Sequence, residues 1–121
     1  MQPEIRRIIA VEAHRRRSGR CPVRLISLGT GEVFEIRPTT AGFLDVSSNL
    51  TASSSNGRIV LEGTDAVIDL RLNEDVGFDG YDHSSKEPFS GRAGGGVSVT
   101  IYDHGGPNFY QYVVAIEGEP S

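Results

Sequence analysis

From Pro22 onward, the sequence is a series of short runs in which apolar and polar residues alternate. The clearest run is residues 66–73, AVIDLRLN, where the apolar side chains occupy every second position and therefore one face of a strand. Turn residues such as glycine and asparagine separate the runs, and no helical periodicity stands between them. The pattern predicts antiparallel strands joined by hairpins rather than a parallel α/β sheet.

The alternating runs number about seven. They are PVRLISL, EVFEIRP, GFLDVS, RIVLE, AVIDLRLN, VSVTIYD and FYQYVVAIE. Two polar stretches, residues 47–57 and 74–95, have no clear periodicity and are predicted as loops. A chain of 121 residues with this pattern fits one mainly β domain, either an antiparallel β-sandwich or a small β-barrel.

The segment before Pro22 follows a different pattern. Pro3 suits the first turn of a helix, arginines occupy its last turn, and Gly19 suits the residue after its end. We predict a helix over residues 4–17, with a strand across Arg7–Ala13 as the alternative because several residues there are β-branched. Residues 1–20 are expected to pack as a basic arm on a β-domain of residues 21–118.

Charge is distributed unevenly along the chain. Residues 1–24 hold seven arginines and two glutamates, a net charge of +5, whereas the whole chain has a net charge of −4. The asymmetry predicts either an anionic partner for the arm or ion pairs between arm and body. Long nucleic acid is disfavoured, because the acidic body would repel it and the cluster AHRRRSGRCPVR contains no aromatic residue. A helix end whose arginines offset the helix dipole explains the cluster more simply.

A narrower interpretation concerns two arginines of this cluster. Arg16 and Arg20 stand four residues apart, and Asp45-x-Ser47 follows near a predicted strand end. This combination resembles part of the signature of PilZ domains, which are β-barrels of about this size that bind cyclic di-GMP. The resemblance implies phosphate or base contacts from Arg16 and Arg20, and hydrogen bonds from Asp45 and Ser47. Leu50 stands where the family has a glycine.

Two Asp-His pairs lie in or beside predicted loops. They are Asp82-His83 and Asp103-His104. If the loops met, two imidazoles and two carboxylates could bind Zn²⁺ or another divalent metal, and Ser84 or Ser90 could serve as a nucleophile. The spacing matches no known metal or catalytic signature, so a metal-dependent enzyme is the last of three hypotheses.

Three tyrosines lie near the last predicted hairpin. Tyr102, Tyr110 and Tyr112 would form a protein-interaction surface if they shared an exposed face, and cross-strand packing within the hairpin is the alternative. Because no catalytic set or cofactor motif is present, we expect a small non-catalytic binding module with a protein partner or self-association. A small anionic ligand is the alternative, and no cofactor is expected.

A cytoplasmic location is the default expectation. The single cysteine, Cys21, excludes an internal disulfide and a cysteine-based zinc site. No apolar run approaches the roughly 20 residues that a membrane-spanning helix needs. The apolar patch near the first residues is too short for the core of a signal peptide.

Overall fold

The computed structural model describes residues 1–94, 96–104 and 108–116. One helix precedes ten strands in these residues. The elements are α1 (Pro3–Ser18), β1 (Pro22–Ser27), β2 (Val33–Pro38), β3 (Gly42–Asp45), β4 (Leu50–Ser55), β5 (Arg58–Leu61), β6 (Val67–Leu72), β7 (Gly77–Asp82), β8 (Glu87–Ala93), β9 (Ser98–Asp103) and β10 (Phe109–Ile116). Each strand pairs antiparallel with its sequence neighbours, and β1 also pairs with β10 to close a barrel. The predicted mainly β fold with an N-terminal helix is confirmed, in its barrel form.

Helix α1 lies inside this barrel. The exposed fraction of every residue from Ile8 to His14 is 0%. Seven consecutive residues cover all faces of a helix with 3.6 residues per turn, so strands surround α1 on every side. The helix contacts β1, β6, β8 and β9, which lie at different positions around the barrel. The aliphatic side chains of α1 therefore form one core with the inward side chains of the sheet.

The two ends of α1 match their sequence signals. Pro3 occupies the first turn, where its missing N–H costs no hydrogen bond. Gly19 ends the helix with φ at +76°, and its N–H donates to the carbonyl oxygen of Arg15 at 2.9 Å. The left-handed conformation strongly favours glycine, which explains the stop at this position.

The barrel has two distinct ends. All odd-numbered strands run in one direction, so their C-terminal ends lie together at what we call the upper rim. Three buried aspartates close strands there: Asp45 on β3, Asp82 on β7 and Asp103 on β9. The N-terminal half of α1 lies at the upper rim, because Arg7 contacts Asp45 at 2.8 Å. Arg17, at the other end of α1, donates to the carbonyl oxygen of Ala93 at the lower end of the barrel.

The strand count is ten rather than about seven, because three strands lie in the stretches predicted as loops. β4 lies within residues 47–57, and the hairpin of β7 and β8 lies within residues 74–95. Glycine hides the alternation of this hairpin: Phe78 pairs with Gly91, and Gly80 pairs with Phe89. A Cβ on either glycine would overlap the opposite ring, so each phenyl side chain occupies the space that its partner's missing side chain leaves. The inward face of the β7–β8 hairpin is therefore filled, although its two glycines contribute no side chain.

Strand β4 was not predicted from the sequence for a different reason. Its sequence, LTASSS, is polar because part of it faces a polar region of the barrel interior. Ser54 accepts a hydrogen bond from Nη2 of Arg16 at 3.1 Å, while Ala52 on the same face is buried in the core. Periodicity of apolar residues does not reveal a strand whose inward neighbour is a guanidinium.

Candidate functional site

The arginine cluster at the end of α1 is bound to the protein itself. Arg16 donates to Glu12 and to the carbonyl oxygen of Leu70, both at 2.7 Å, and Arg15 donates to Glu12 at 2.7 Å. The side chain of Arg17 donates to three carbonyl oxygens at the lower end of the barrel, those of Asn73, Gly77 and Ala93. The carboxylate partner of this cluster is therefore Glu12 of the same helix, and the barrel contributes backbone carbonyl oxygens. The ion pair between arm and body is formed elsewhere, by Arg7 with Asp45.

Glu12 is the centre of this lower cluster. Its exposed fraction is 0%, and it accepts hydrogen bonds from two arginines that belong to the same helix. Burial by itself would raise the pKa of this carboxyl, but hydrogen bonds from Arg15, Ser54 and Arg16 outweigh burial and lower the pKa. The carboxylate is thus charged inside the barrel, where it neutralises arginines that would otherwise be unpaired.

The residues of the PilZ-like signature do not come together. Asp45 pairs with Arg7 at the upper rim, and nine residues of helix, about 13 Å, separate Arg7 from Arg16. Arg16 is engaged at the lower end, and Arg20 is exposed beyond the end of α1. Ser47 is exposed and lies at the upper rim, so the arginine pair and the Asp-x-Ser pair face different ends of the barrel.

The Asp-x-Ser pattern has a local structural role. In the β3–β4 turn, Ser48 donates to Oδ2 of Asp45 at 2.7 Å. In the β7–β8 turn, Ser85 donates to Oδ2 of Asp82 at 2.8 Å. The residues after these serines, Asn49 and Lys86, have φ at +60° and +58°. The chain therefore uses one turn, Asp-x-Ser-Ser followed by a left-handed residue, at two positions of the upper rim.

The aspartate and the histidine of each Asp-His pair lie apart, because adjacent residues at the end of a strand have side chains on opposite sides of the sheet. Asp82 and Asp103 are buried, whereas His83 and His104 are exposed. Nε2 of His83 contacts Asp69 at 2.7 Å, and Nε2 of His104 contacts Oγ of Ser90 at 2.8 Å. No cluster of three or more histidine, cysteine, aspartate or glutamate residues suited to a metal ion occurs in the described part of the chain.

The three tyrosines do not share one exposed face. Tyr102 is 47% exposed, whereas Tyr112 is 4% exposed and belongs to the core. Tyr110 is half-buried, and its ring lies 3.8 Å from the guanidinium carbon of Arg6. The exposed partner of Tyr102 is Phe109, which sequence reasoning missed, and the two rings stack with centroids 5.8 Å apart. Strand pairing of Phe109 with Tyr102 places both outward.

An apolar surface surrounds this stacked pair. We define the outer patch as Leu28, Val33, Tyr102 and Phe109, whose exposed fractions are 55%, 60%, 47% and 54%. Half-buried Ile26 pairs with Val33 on one side and with Val113 on the other, so the patch continues across β2, β1, β10 and β9. Four of the six large apolar side chains that are exposed in residues 1–94, 96–104 and 108–116 belong to it. A contiguous patch of this kind is typical of an interaction site.

A pocket of about 400 Å³, the rim pocket, lies at the upper rim beside the outer patch. Its lining includes Arg6, Arg7, Phe34, Ser47 and Tyr110. The pocket exists because β3 is short: its last residue pairs with Ile36, so the first residues of β2 extend above it. The side chains of α1 are therefore accessible between β2 and the β3–β4 turn.

Two arginines of the rim pocket each contact an aromatic ring and a hydrogen-bond acceptor. The guanidinium carbon of Arg6 lies over the ring of Tyr110, and that of Arg7 lies 4.1 Å from the ring centroid of Phe34. Arg6 donates to the carbonyl oxygen of Met1 at 2.7 Å. Because Arg7 also donates to buried Asp45, an aromatic ring and an acceptor together position each guanidinium group.

The hydrogen bonding of this pocket is incomplete. Nε of Arg6, Nε of Arg7 and Oδ1 of Asp45 are shielded from solvent and have no hydrogen-bond partner among the described residues. Arg7 as a whole is only 8% exposed. A buried donor or acceptor without a partner costs about 1–3 kcal/mol, so an acceptor supplied by a bound group would stabilise the two Nε donors.

No protein-family model matches the chain, and neither a curated protein nor a solved structure matches it. In the described part of the chain, no helix has both the length and the apolar character that crossing a bilayer requires. Fold and site together define a small antiparallel β-barrel filled by its own N-terminal helix, with an apolar outer patch and an arginine-lined pocket at one rim.

Proposed function

We propose that the protein is a non-catalytic interaction module that docks another protein on its outer patch. The observation that supports this proposal most directly is the stacked, half-exposed pair of Tyr102 and Phe109 beside Leu28 and Val33. Exposure of four large apolar side chains on neighbouring strands and the β1–β2 turn is unfavourable in water, and a docked partner would remove them from it. Aromatic side chains are also enriched at protein interfaces.

A protein partner fits this surface better than an enclosed small molecule. The groove beside Leu28 and Phe109 measures about 450 Å³, but both side chains are more than half exposed. Small-molecule sites bury about 70–90% of their ligand, which an open groove of this kind does not do. The barrel interior offers no alternative, because α1 fills it.

The other two hypotheses have less support. A catalytic use of Ser90 and His104 would need an acid that orients the imidazole, and no carboxylate of the described residues bonds to His104. Cyclic dinucleotide binding would need Arg16 to leave Glu12, Leu70 and Ser54. Both remain outcomes that experiments can detect.

We commit to a different protein rather than to a second copy of this chain as the partner. In a two-fold dimer the same surface is presented by both copies, so the outer patch would meet the outer patch. The adjoining rim pockets would then bring the arginines of both copies together, and the exposed Glu32 of each copy would be the one lining carboxylate to face four guanidinium groups. A different protein can supply both an apolar surface and an acceptor.

Site-specific photo-crosslinking tests the proposal. A photoreactive residue replaces Phe109, and a matched control replaces Val97, which is 59% exposed but lies outside the patch. We expect one protein to crosslink from position 109 and not from position 97. That protein, once purified, should bind the unmodified chain and lose at least about tenfold in affinity on Phe109→Ser, since buried aromatic residues are common interface hot spots.

The same two positions also provide the results that would contradict the proposal. Equal crosslinking from both positions would contradict docking on the outer patch, and so would equal affinity of Phe109→Ser and Val97→Ser for the purified partner. Sedimentation of the free protein is the accompanying measurement. A dimer that dissociates only on Phe109→Ser would show that the occupant is a second copy and would overturn the choice of a different protein.

A further inference from the structure

The rim pocket and the groove of the outer patch are neighbours. Ser27, Thr30 and Tyr110 line both, so the two depressions share one wall formed by the β1–β2 turn and the start of β10. One depression carries exposed apolar side chains, and the other carries two arginines. A ligand that crosses this shared wall would have an apolar group on one side and a hydrogen-bond acceptor on the other.

We propose that the rim pocket binds a carboxylate of the docked protein, with a large apolar side chain of the same segment in the adjoining groove. The inference rests on the proposed function insofar as the carboxylate belongs to the partner. Arg6 and Arg7 hold the carboxylate, and Leu28 and Phe109 contact the apolar side chain. The N-terminal end of α1, with Pro3 at the pocket wall, adds the positive end of the helix dipole.

The donors favour a planar acceptor. Guanidinium groups bind carboxylates through parallel N–H donors, and the rings of Tyr110 and Phe34 fix the two guanidinium planes in advance. Asp45 holds Arg7 through Nη2 alone, which leaves the unpartnered Nε for a second acceptor after a small shift of the side chain. Binding therefore satisfies buried donors and loses little side-chain entropy.

The charges around the pocket favour one negative charge rather than two. Buried Asp45 is 2.8 Å from Arg7, and Asp103 is 3.9 Å from Arg6. Glu32 also lines the pocket at its exposed side. These three carboxylates outnumber the two arginines, so binding of an anion depends on the directed N–H donors rather than on net charge. A doubly charged phosphate would therefore meet more repulsion than a carboxylate.

The experiment uses the intact protein and two small probes that differ in one group. Acetyl-phenylalanine carries a carboxylate beside a benzyl side chain, and acetyl-phenylalaninamide carries the same side chain without the charge. In NMR titrations to about 10 mM, suited to millimolar dissociation constants, we expect the acid to shift the Nε–Hε signals of Arg6 and Arg7 and the amide signal of Phe109. The amide probe should shift Phe109 and leave the arginine signals in place.

Two further probes refine the ligand class. Acetyl-aspartyl-phenylalaninamide carries its carboxylate on a side chain, and phenyl phosphate carries two charges. Binding of the aspartyl probe in preference to acetyl-phenylalanine would support the proposal with an internal acidic residue as the source, and the reverse would support a chain terminus. Tighter binding of phenyl phosphate than of either carboxylate would overturn the choice of a singly charged group.

Matched variants separate charge from folding. Thr30→Glu adds a carboxylate to the shared wall, and Thr64→Glu adds one to a different exposed turn. The two positions match, because each threonine hydroxyl accepts a hydrogen bond from the backbone N–H two residues later. We expect Thr30→Glu to weaken acetyl-phenylalanine binding about tenfold and Thr64→Glu to leave it unchanged. Glu32→Gln should strengthen binding several-fold, because it removes one repulsive charge.

The proposal is overturned if neither carboxylate probe shifts Arg6 or Arg7 at about 10 mM, which excludes even millimolar affinity. Equal effects of Thr30→Glu and Thr64→Glu would also overturn it. Its failure is distinct from that of the proposed function. If position 109 forms crosslinks but the NMR signals of Arg6 and Arg7 do not shift, protein docking stands and the carboxylate site is excluded. If those NMR signals shift but position 109 forms no crosslinks, the carboxylate site stands and protein docking is excluded.

Discussion

Replacement of Glu12 by alanine should destabilise the barrel more than the loss of any surface charge. Glu12 is fully buried, and its carboxylate accepts at 2.7 Å from Nε of Arg15 and at 2.7 Å from Nε of Arg16. Glu12→Ala removes the shared acceptor and leaves both guanidinium groups without it at the lower end of the barrel. The variant therefore creates uncompensated positive charge near the core.

The magnitude follows from how far the two arginines can regain water. Removal of one partner of a buried ion pair costs about 3–5 kcal/mol. The side chains of Arg15 and Arg16 are 29% and 17% exposed, so partial hydration keeps the cost near the lower end, about 3 kcal/mol. With a urea dependence of about 2 kcal/mol per molar, this loss lowers the unfolding midpoint by about 1.5 M.

Urea unfolding followed by far-UV circular dichroism measures this difference. Asp79→Ala is the control, because Asp79 forms a surface ion pair with Arg71, whose side chain is 77% exposed, and such pairs contribute about 0–1 kcal/mol. Glu12→Gln keeps the shape of the side chain and should fall between the two. If Glu12→Ala costs no more than Asp79→Ala, the buried carboxylate does not hold the arginines of α1, and the explanation of the lower cluster is wrong.

Three further outcomes are expected. Burial lowers the pKa of His14 below its ordinary value of 6.5, so the unfolded chain binds a proton first and the free energy of unfolding should fall as the pH drops below 6.5. Urea titrations at several pH values should show a weaker pH dependence of the free energy of unfolding in His14→Asn. An unchanged pH dependence would contradict this role of His14. Gly80→Ala should cost at least about 2 kcal/mol, because the added Cβ overlaps the backbone carbonyl oxygen of Asp69 and the ring of Phe89. Gly29→Ala, whose Cβ meets no atom within 4 Å, should change the midpoint little. Titration calorimetry with cyclic di-GMP should give no heat, because Arg16 is bound within the protein, and heat that Arg16→Ala abolishes would contradict that interpretation.

Local patterns in the sequence predicted the helix, seven of the strands and several faces of the core. Pro3 and Gly19 act through their own backbone preferences, so the helix bounds were predictable from them alone. Alternation likewise predicted that Ile68 and Leu70 of β6 face the core, where both are at most 3% exposed. Such features depend on neighbours in the sequence.

The missed strands depended on neighbours across the sheet. Gly80 and Gly91 look like loop residues, and only pairing with Phe89 and Phe78 makes them inward positions of a filled hairpin. The signal that could have found this hairpin is the repeated Asp-x-Ser-Ser turn, which follows β3 and is seen again between β7 and β8.

The candidate site depended still more on tertiary structure. The sequence drew attention to Arg16 and Arg20, whereas the rim pocket uses Arg6 and Arg7. Within the sixteen-residue helix α1, no sequence pattern distinguishes Arg6 and Arg7 from its other arginines. Their role follows from what surrounds them, since Tyr110 and Phe34 come from strands distant in the sequence. No spacing rule joins residues that meet only when a barrel closes.

The sequence by itself determined the secondary structure of most of the chain and the antiparallel order of its strands, because turns, helix ends and alternation are local. Only the tertiary structure decided that α1 lies within the barrel and not on its surface. The helix carries Glu12 and arginines among its apolar residues, and it can be buried on all sides only where strand carbonyls and its own ion pairs satisfy those charges. That arrangement places Arg15 to Arg17 at the closed lower end and leaves Arg6 and Arg7 at the open upper rim.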